Sequence, residues 1–213
     1  MTAAPPPVLL DLDRTLVDLQ SFTDYDAAWS EVRALVDPEL ADAGPATGWS
    51  STTRACMGII AALRDEALWH RVSATIAEFE RAAIPQSVPM PGAAEFLTEL
   101  ADRPRAVVTL LPVDVARETL AAHGLEVEVV VGRDPQVRPK PSGDGLRRAL
   151  ELLAADHDGV VMVGDSTWDA AAAADAGVGF VGVHAGAAEF AAAFPEVPVG
   201  SSLAEVLTLL PRR

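Results

Sequence analysis

Asp11 and Asp13 close the short apolar run Val8–Leu12 and continue into Arg14-Thr15. Residues i and i+2 of an extended chain point to the same side, so both carboxylates can share one site. Two anions held that close are costly unless a cation joins them. A turn with an aspartate capping local backbone would use the same residues. Thr109 ends Val107-Val108-Thr109-Leu110, where a hydroxyl and the next backbone N–H can hold phosphate oxygens, or the hydroxyl can satisfy its own turn. Lys140 stands in Arg138-Pro139-Lys140-Pro141 and is the one lysine among 16 basic residues, in a chain that otherwise uses arginine. A lone lysine under that bias has a local reason or is chance. Asp165 and Asp169 lie in Gly164-Asp165-Ser166-Thr167-Trp168-Asp169. At a strand end and in the first turn of the next helix, both can present hard oxygen ligands to Mg²⁺. Ser166 with Asp169 also reads as a capping box, which accounts for Asp169 but not Asp165.

These residues need elements that bring them together. Val8–Leu12, Ala106–Leu110, Val127–Val131, Val160–Val163 and Gly179–Val183 are apolar runs of strand length. Between them the pattern turns helical over Pro91–Ala101, Val113–His123, Gly145–Ala154 and Asp169–Ala176, the last closed by Gly177. Near-continuous apolar strands alternating with helices imply a doubly wound parallel α/β sheet, Rossmann-like, covered on both faces. Such sheets bind ligands outside the carboxyl ends of their strands, where Asp11, Asp13, Thr109 and Asp165 all fall. Residues 19–88 read differently. Phe22, Tyr25, Trp29, Val32 and Val36, then Cys56, Ile59, Ile60 and Leu63, then Leu68, Val72, Ile76 and Phe79 form three helical stripes with no strand among them. The expected division is a core of 1–18 and 89–213 with an inserted α-helical cap domain at 19–88.

Composition narrows the partners. The chain has 213 residues and a net charge of −15, and no Lys/Arg cluster offers a basic face, so nucleic acid is not an expected partner. No uncharged apolar run approaches the roughly 18 residues of a membrane helix, and Met1–Pro7 lacks the features of a signal peptide. A single cysteine, Cys56, allows no internal disulfide. A cytoplasmic protein acting on a small ligand is the expectation. Oligomeric state is not legible.

In order along the chain, the residues Asp11 and Asp13, Thr109, Lys140, and Asp165 with Asp169 resemble the four motifs of the haloacid-dehalogenase superfamily. The likeness is to its phosphatase branch with a helical cap, the phosphoglycolate phosphatase and β-phosphoglucomutase-like group. Pro91-Gly92, Lys140-Pro141 before Asp144-Gly145-Leu146, and Ala176-Gly177 resemble its connecting sequence, and the likeness spans about 8–186. It implies a Mg²⁺-dependent phosphatase of a small phosphorylated metabolite. Asp11 would be the nucleophile and Asp13 the acid and base. Mg²⁺ would be held by Asp11, the Asp13 carbonyl, Asp165 and Asp169. Thr109, the Leu110 N–H and Lys140 would hold phosphate oxygens. A dehalogenase lacks the second aspartate, so Asp13 argues against dehalogenation. The cap has no lysine, which argues against phosphonoacetaldehyde hydrolysis and against a hexose-phosphate mutase. A phosphomutase or a non-catalytic phosphate-binding regulatory protein are the alternatives.

Two arginines and a tryptophan depart from or extend the pattern. Arg14 stands where the family usually has Gly, and can bind a substrate anion or pair with an acidic neighbour. Arg54, near the junction of the cap with the cleft, can contact substrate or be a solvated helix-start residue. Trp168 can serve core packing or shield the site from water.

Overall fold

The computed structural model describes residues 5–37, 39, 47–183 and 194–211. Its main sheet contains β1 (Val8–Leu10), β4 (Arg105–Val108), β5 (Val129–Val131), β6 (Val161–Gly164), β7 (Gly179–Val183) and β8 (Val199–Gly200). Their order is β5-β4-β1-β6-β7-β8, and every pairing is parallel. β1 lies between β4 and β6, with Leu10 opposite both Val107 and Val163. The chain ends of β1, β4 and β6 therefore meet at the point where the strand order reverses.

Alternation of side chains explains why both faces are buried. Val8 and Leu10, Val107, and Val161 and Val163 enter one apolar cluster, packed with α4 (Ala93–Glu99), α5 (Val113–Ala122) and α8 (Leu203–Leu209). Leu9, Ala106 and Val108, and Met162 enter the other, with α6 (Asp144–Leu152) and α7 (Thr167–Ala176). This is the doubly wound α/β core that the apolar strands require. Observed strands are one or two residues shorter than the apolar runs at β1, β4 and β5: at β1 and β4 the last residues of the run turn into the site, and at β5 the first two, Val127 and Glu128, precede the pairing.

Between β2 (Val17–Asp18) and β3 (Val88–Pro89) the chain leaves the sheet for α1 (Tyr25–Val32), α2 (Ser51–Ala62) and α3 (Glu66–Ala83). Each helix starts on a side-chain cap: Asp24 accepts from the Ala27 N–H, Ser50 from Thr53 and Asp65 from Leu68. Among the described residues, the expectation of no strand within 19–88 holds up to its last residue, Val88, and a short strand pair stands at the borders of the segment. β2 and β3 form an antiparallel pair, Val17 with Pro89 and Asp18 with Val88. A two-residue strand has too few residues to show a period, so it leaves no pattern to read. β8 and α8 were likewise not anticipated. Among the described residues, no helix is long and apolar enough to cross a membrane.

Arg81 of α3 reaches Asp114 and Glu118 of α5 at the surface, and two buried contacts fasten the helical cap to the core. Trp168, at the start of core helix α7, is fully buried among Tyr25, Cys56, Met57 and Ile60 of the cap, and its ring lies 5.1 Å from that of Trp49. Thus Trp168, next in the chain to Asp169, fills the cap's core. The second contact is an ion pair with both side chains 0% exposed, from Arg133, just after β5, to Glu80 of α3 at 2.8 Å. Arg133 also donates to the Ser73 hydroxyl and carbonyl, and the Tyr25 hydroxyl donates to Glu80. Burial pushes Glu80 above the ordinary carboxylate range, while the adjacent guanidinium pulls it back.

Removing one partner of such a pair leaves an uncompensated buried charge, which costs about 3–5 kcal/mol, whereas apolar replacement of both is often neutral. Chemical denaturation should show Arg133→Met losing stability on that scale. The double variant Arg133→Met/Glu80→Met should recover most of it; a double variant as unstable as the sum of the singles would contradict this account. A methyl group at Gly164 would stand 2.6 Å from the Asp169 side chain and force α7 to shift. Gly164→Ala should therefore cost about 1–3 kcal/mol by the same measurement, the range for overpacking.

Candidate active site

The carboxyl ends of β1, β4 and β6 each deliver one functional segment. Past β1 the chain turns sharply: the Arg14 N–H donates to the Val17 carbonyl, and the Leu16 and Val17 N–H groups donate to Leu12. Arg14 occupies the left-handed region at φ 60°. A side chain there costs of order 1 kcal/mol or more, which is the physical reason glycine is favoured at that position. The turn lets Asp11 and Asp13 line the same cavity. Asp11 is buried, its backbone N–H donating to Val163 at 2.8 Å. Asp13 accepts the Leu19 and Gln20 N–H groups on one oxygen, each at 3.0 Å, which leaves the other for the cavity.

Lys140 is not a solvated loop residue. Its side chain is 4% exposed, and Nζ donates to Asp11 Oδ1 at 2.5 Å and to Asp169 Oδ1 at 2.6 Å. Burial acts to lower its pKa, but the two carboxylates outweigh that and hold it above the ordinary lysine range. The capping box at Asp169 is also real: its Oδ2 accepts the Ser166 N–H and hydroxyl, and its own N–H donates to Ser166 Oγ. The two readings of Asp169 therefore do not compete, because each uses a different oxygen. The helix start orients the carboxylate, and its free oxygen meets the lysine.

Asp11, Asp165 and Asp169 can each bring one oxygen within 4.8 Å of the others. Desolvation, then the neighbouring Asp11 and Asp169 charges, push Asp165 well above the usual carboxylate range, with Arg14 opposing weakly. Asp11 is raised to about 7, chiefly by burial and against the pull of Lys140. Asp13 is raised to about 7, also by burial, despite its two backbone donors. A carboxyl that titrates near neutrality can both give and accept a proton. Carboxylates driven upward by burial, with neighbouring carboxylates adding to it, are those that a divalent cation would return to the charged form. An all-oxygen donor set of this kind fits Mg²⁺.

Thr109 is buried at the end of β4, and its Oγ1 accepts the Leu111 N–H at 3.2 Å, so its turn is satisfied while its proton stays available to the cavity it lines. Leu110 lines the same cavity and packs its side chain against the cap cluster. Arg14 is half-exposed and 3.8 Å from Asp165; it borders an outer groove rather than the cavity. Arg54 lies half-buried in the first turn of α2, outside the cavity lining, which takes Thr53 and Met57 from the same helix. The structure thus gathers Asp11, Asp13, Thr109, Leu110, Lys140, Asp165 and Asp169, and leaves Arg14 and Arg54 outside.

Sequence reasoning missed the cap side of the cavity: Tyr25, Trp49, Met57 and Glu80. Tyr25 and Met57 sit in helical stripes that look like ordinary core, and Glu80 looks like a surface acid. Arg133 was missed too. Its only signal was its position two residues past the end of β5, close to the position one residue past a strand end that makes Asp165 and Asp11 conspicuous.

Comparison with known proteins agrees with this geometry. A Dickeya dadantii protein named "Probable phosphatase IndB" is 33% identical over 186 residues, covering 84% of this chain and 80% of that protein. A candidate pyrophosphatase, PpaX, of Caldanaerobacter subterraneus is 38% identical over 74 residues, 32% of this chain and 34% of the length of PpaX. The crystal structure of a hydrolase from Pseudomonas syringae shares the fold with a TM-score of 0.71 at 24% identity, over 96% of this chain and 97% of that one. The family model for "Hydrolase: haloacid dehalogenase-like hydrolase" matches residues 8–177, which contain every carboxylate of the site and Lys140, and this chain belongs to that family.

Proposed function

We propose that the protein is a Mg²⁺-dependent phosphatase that hydrolyses a small phosphate monoester through a phosphoryl group carried on Asp11. The observation that carries this reading is the buried Lys140 ammonium held between Asp11 and Asp169, beside Asp13 and Asp165. Asp11, Asp165, Asp169 and the Asp13 carbonyl would hold Mg²⁺, which supplies positive charge against the transferring phosphoryl group.

Asp11 attacks phosphorus with one oxygen; the bond to the ester oxygen breaks as the aspartyl phosphate forms. Asp13 gives its proton to the departing oxygen. It then takes a proton from the water that attacks the aspartyl phosphate and releases orthophosphate. The Thr109 hydroxyl, the Leu110 N–H and Lys140 hold the remaining phosphoryl oxygens. Lys140 favours the charged form of Asp11 against burial and aims its carboxylate. In this reading the core is 1–18 and 89–213, and the cap at 19–88 shields the site from water.

Phosphate release from p-nitrophenyl phosphate tests the reading. Asp11→Asn should abolish turnover without loss of fold; near-normal turnover would remove Asp11 as nucleophile. Excess chelator should stop the reaction and added Mg²⁺ restore it, while Ca²⁺, which takes more ligands in a looser geometry, should inhibit. Full activity in chelator would reject the metal. Lys140→Arg should lower turnover by about 10²-fold or more, because a planar fork cannot occupy a space 2.5 Å and 2.6 Å from two carboxylates without displacing one. Turnover within a few-fold of wild type would mean that any positive charge suffices.

A further inference from the structure

The cavity has two sides of different chemistry. Its floor carries the carboxylates and Lys140 described above. Its roof is built by the cap from Tyr25, Trp49, Thr53, Met57 and Glu80. The leaving group of any ester whose phosphorus lies at Asp11 must point toward this roof.

We infer that the site selects a leaving group that carries no negative charge, so that carboxylated esters such as phosphoglycolate are poor substrates; the inference rests on the phosphatase reading and names its substrate class.

Charge is the first ground. Lys140 is the only cationic side chain lining the cavity among the described residues, and it is committed to Asp11 and Asp169. Arg133 lies behind the roof, fully buried, with its donors turned to Glu80 and Ser73 and away from the cavity. Arg14 borders the outer groove beside Asp165. A substrate carboxylate would therefore leave water for a wall with no free cation: Glu80 is already paired with Arg133, and Asp13 carries the proton meant for the departing oxygen. An anion buried without a partner is costly.

What the roof does offer is the second ground. Trp49 and Met57 present apolar surface to a CH₂ group, and the Tyr25 and Thr53 hydroxyls can hydrogen-bond a substrate hydroxyl.

The test uses two esters matched in size that differ in charge, 2-hydroxyethyl phosphate and 2-phosphoglycolate, with phosphate release by the full-length protein in Mg²⁺ as readout. The expected kcat/KM is about 10²-fold higher for the uncharged ester, the scale of leaving one buried polar group unsatisfied. Equal or better turnover of phosphoglycolate would overturn the inference while leaving the phosphatase reading intact. Release from neither ester nor p-nitrophenyl phosphate would refute the phosphatase reading itself. Met57→Lys places an ammonium in the roof on an unbranched side chain of similar length. It should move the ratio of the two esters toward phosphoglycolate by about tenfold or more. An unchanged ratio in a variant that melts like wild type would show that the roof does not meet the leaving group, and would also overturn the inference. If that variant does not fold, the wild-type ratio alone decides.

Discussion

Carboxylate crowding is the constraint on which the rest of this molecule depends. Asp11, Asp165 and Asp169 converge within 4.8 Å in a place that water barely reaches. At an effective dielectric of about 20, each pair of unit charges 4 Å apart repels by about 4 kcal/mol. Lys140 relieves part of that repulsion by bonding two of the three, and Asp165 is left with its pKa driven well upward. The arrangement is tolerable because it is rigid. β1 lies at the centre of the sheet, Ser166 pins one oxygen of Asp169, and Gly164 leaves no side chain to push that carboxylate aside. Folding energy from two apolar clusters is spent on holding like charges together, which is how a site that attracts a cation and a phosphoryl group is built.

The cap is joined to this core by interactions of opposite kinds. Trp168 belongs by sequence to the core helix that carries Asp169, yet by packing to the cap. Its burial links the position of the cap to that of the acid beside it. Arg133 and Glu80 form a link whose strength depends on staying dry, because a hydrated ion pair is worth far less than a buried one is to break. Any opening of the cap must admit water to that pair and uncover part of Trp168. The cavity roof is held in the closed arrangement by the same residues that give it its charge balance, so shape and electrostatic preference are not independently adjustable.

Arg14 shows how a departure from the family pattern is accommodated. A non-glycine residue takes the left-handed conformation that the turn after the first aspartate demands, and its side chain swings outward to Asp165. The turn is determined by backbone bonds from Arg14 and Val17, so the residue adapts to the turn rather than the reverse.

The core was legible in the sequence because its signals are local. Apolar runs such as Val160–Val163, helix stops such as Gly177 and the side-chain caps act over a few residues, and order along the chain then implies a parallel sheet with its polar residues at one edge. Asp11, Asp13, Lys140, Asp165 and Asp169 stood out for the same reason: each follows an apolar run or breaks a compositional bias. Which oxygen of Asp169 meets Lys140, and that Asp13 turns one oxygen to the Leu19 and Gln20 N–H groups, depend on distances between segments far apart in the chain. The roof was hidden for a stronger reason. Tyr25, Met57 and Glu80 occupy ordinary positions in amphipathic helices, and only the packing of those helices onto Trp168 and Arg133 decides that they face a cavity rather than a core or solvent. The two-residue strands β2 and β3 escaped notice because the pairing of Val17 with Pro89 is a property of two segments 72 positions apart, and neither segment carries a period of its own.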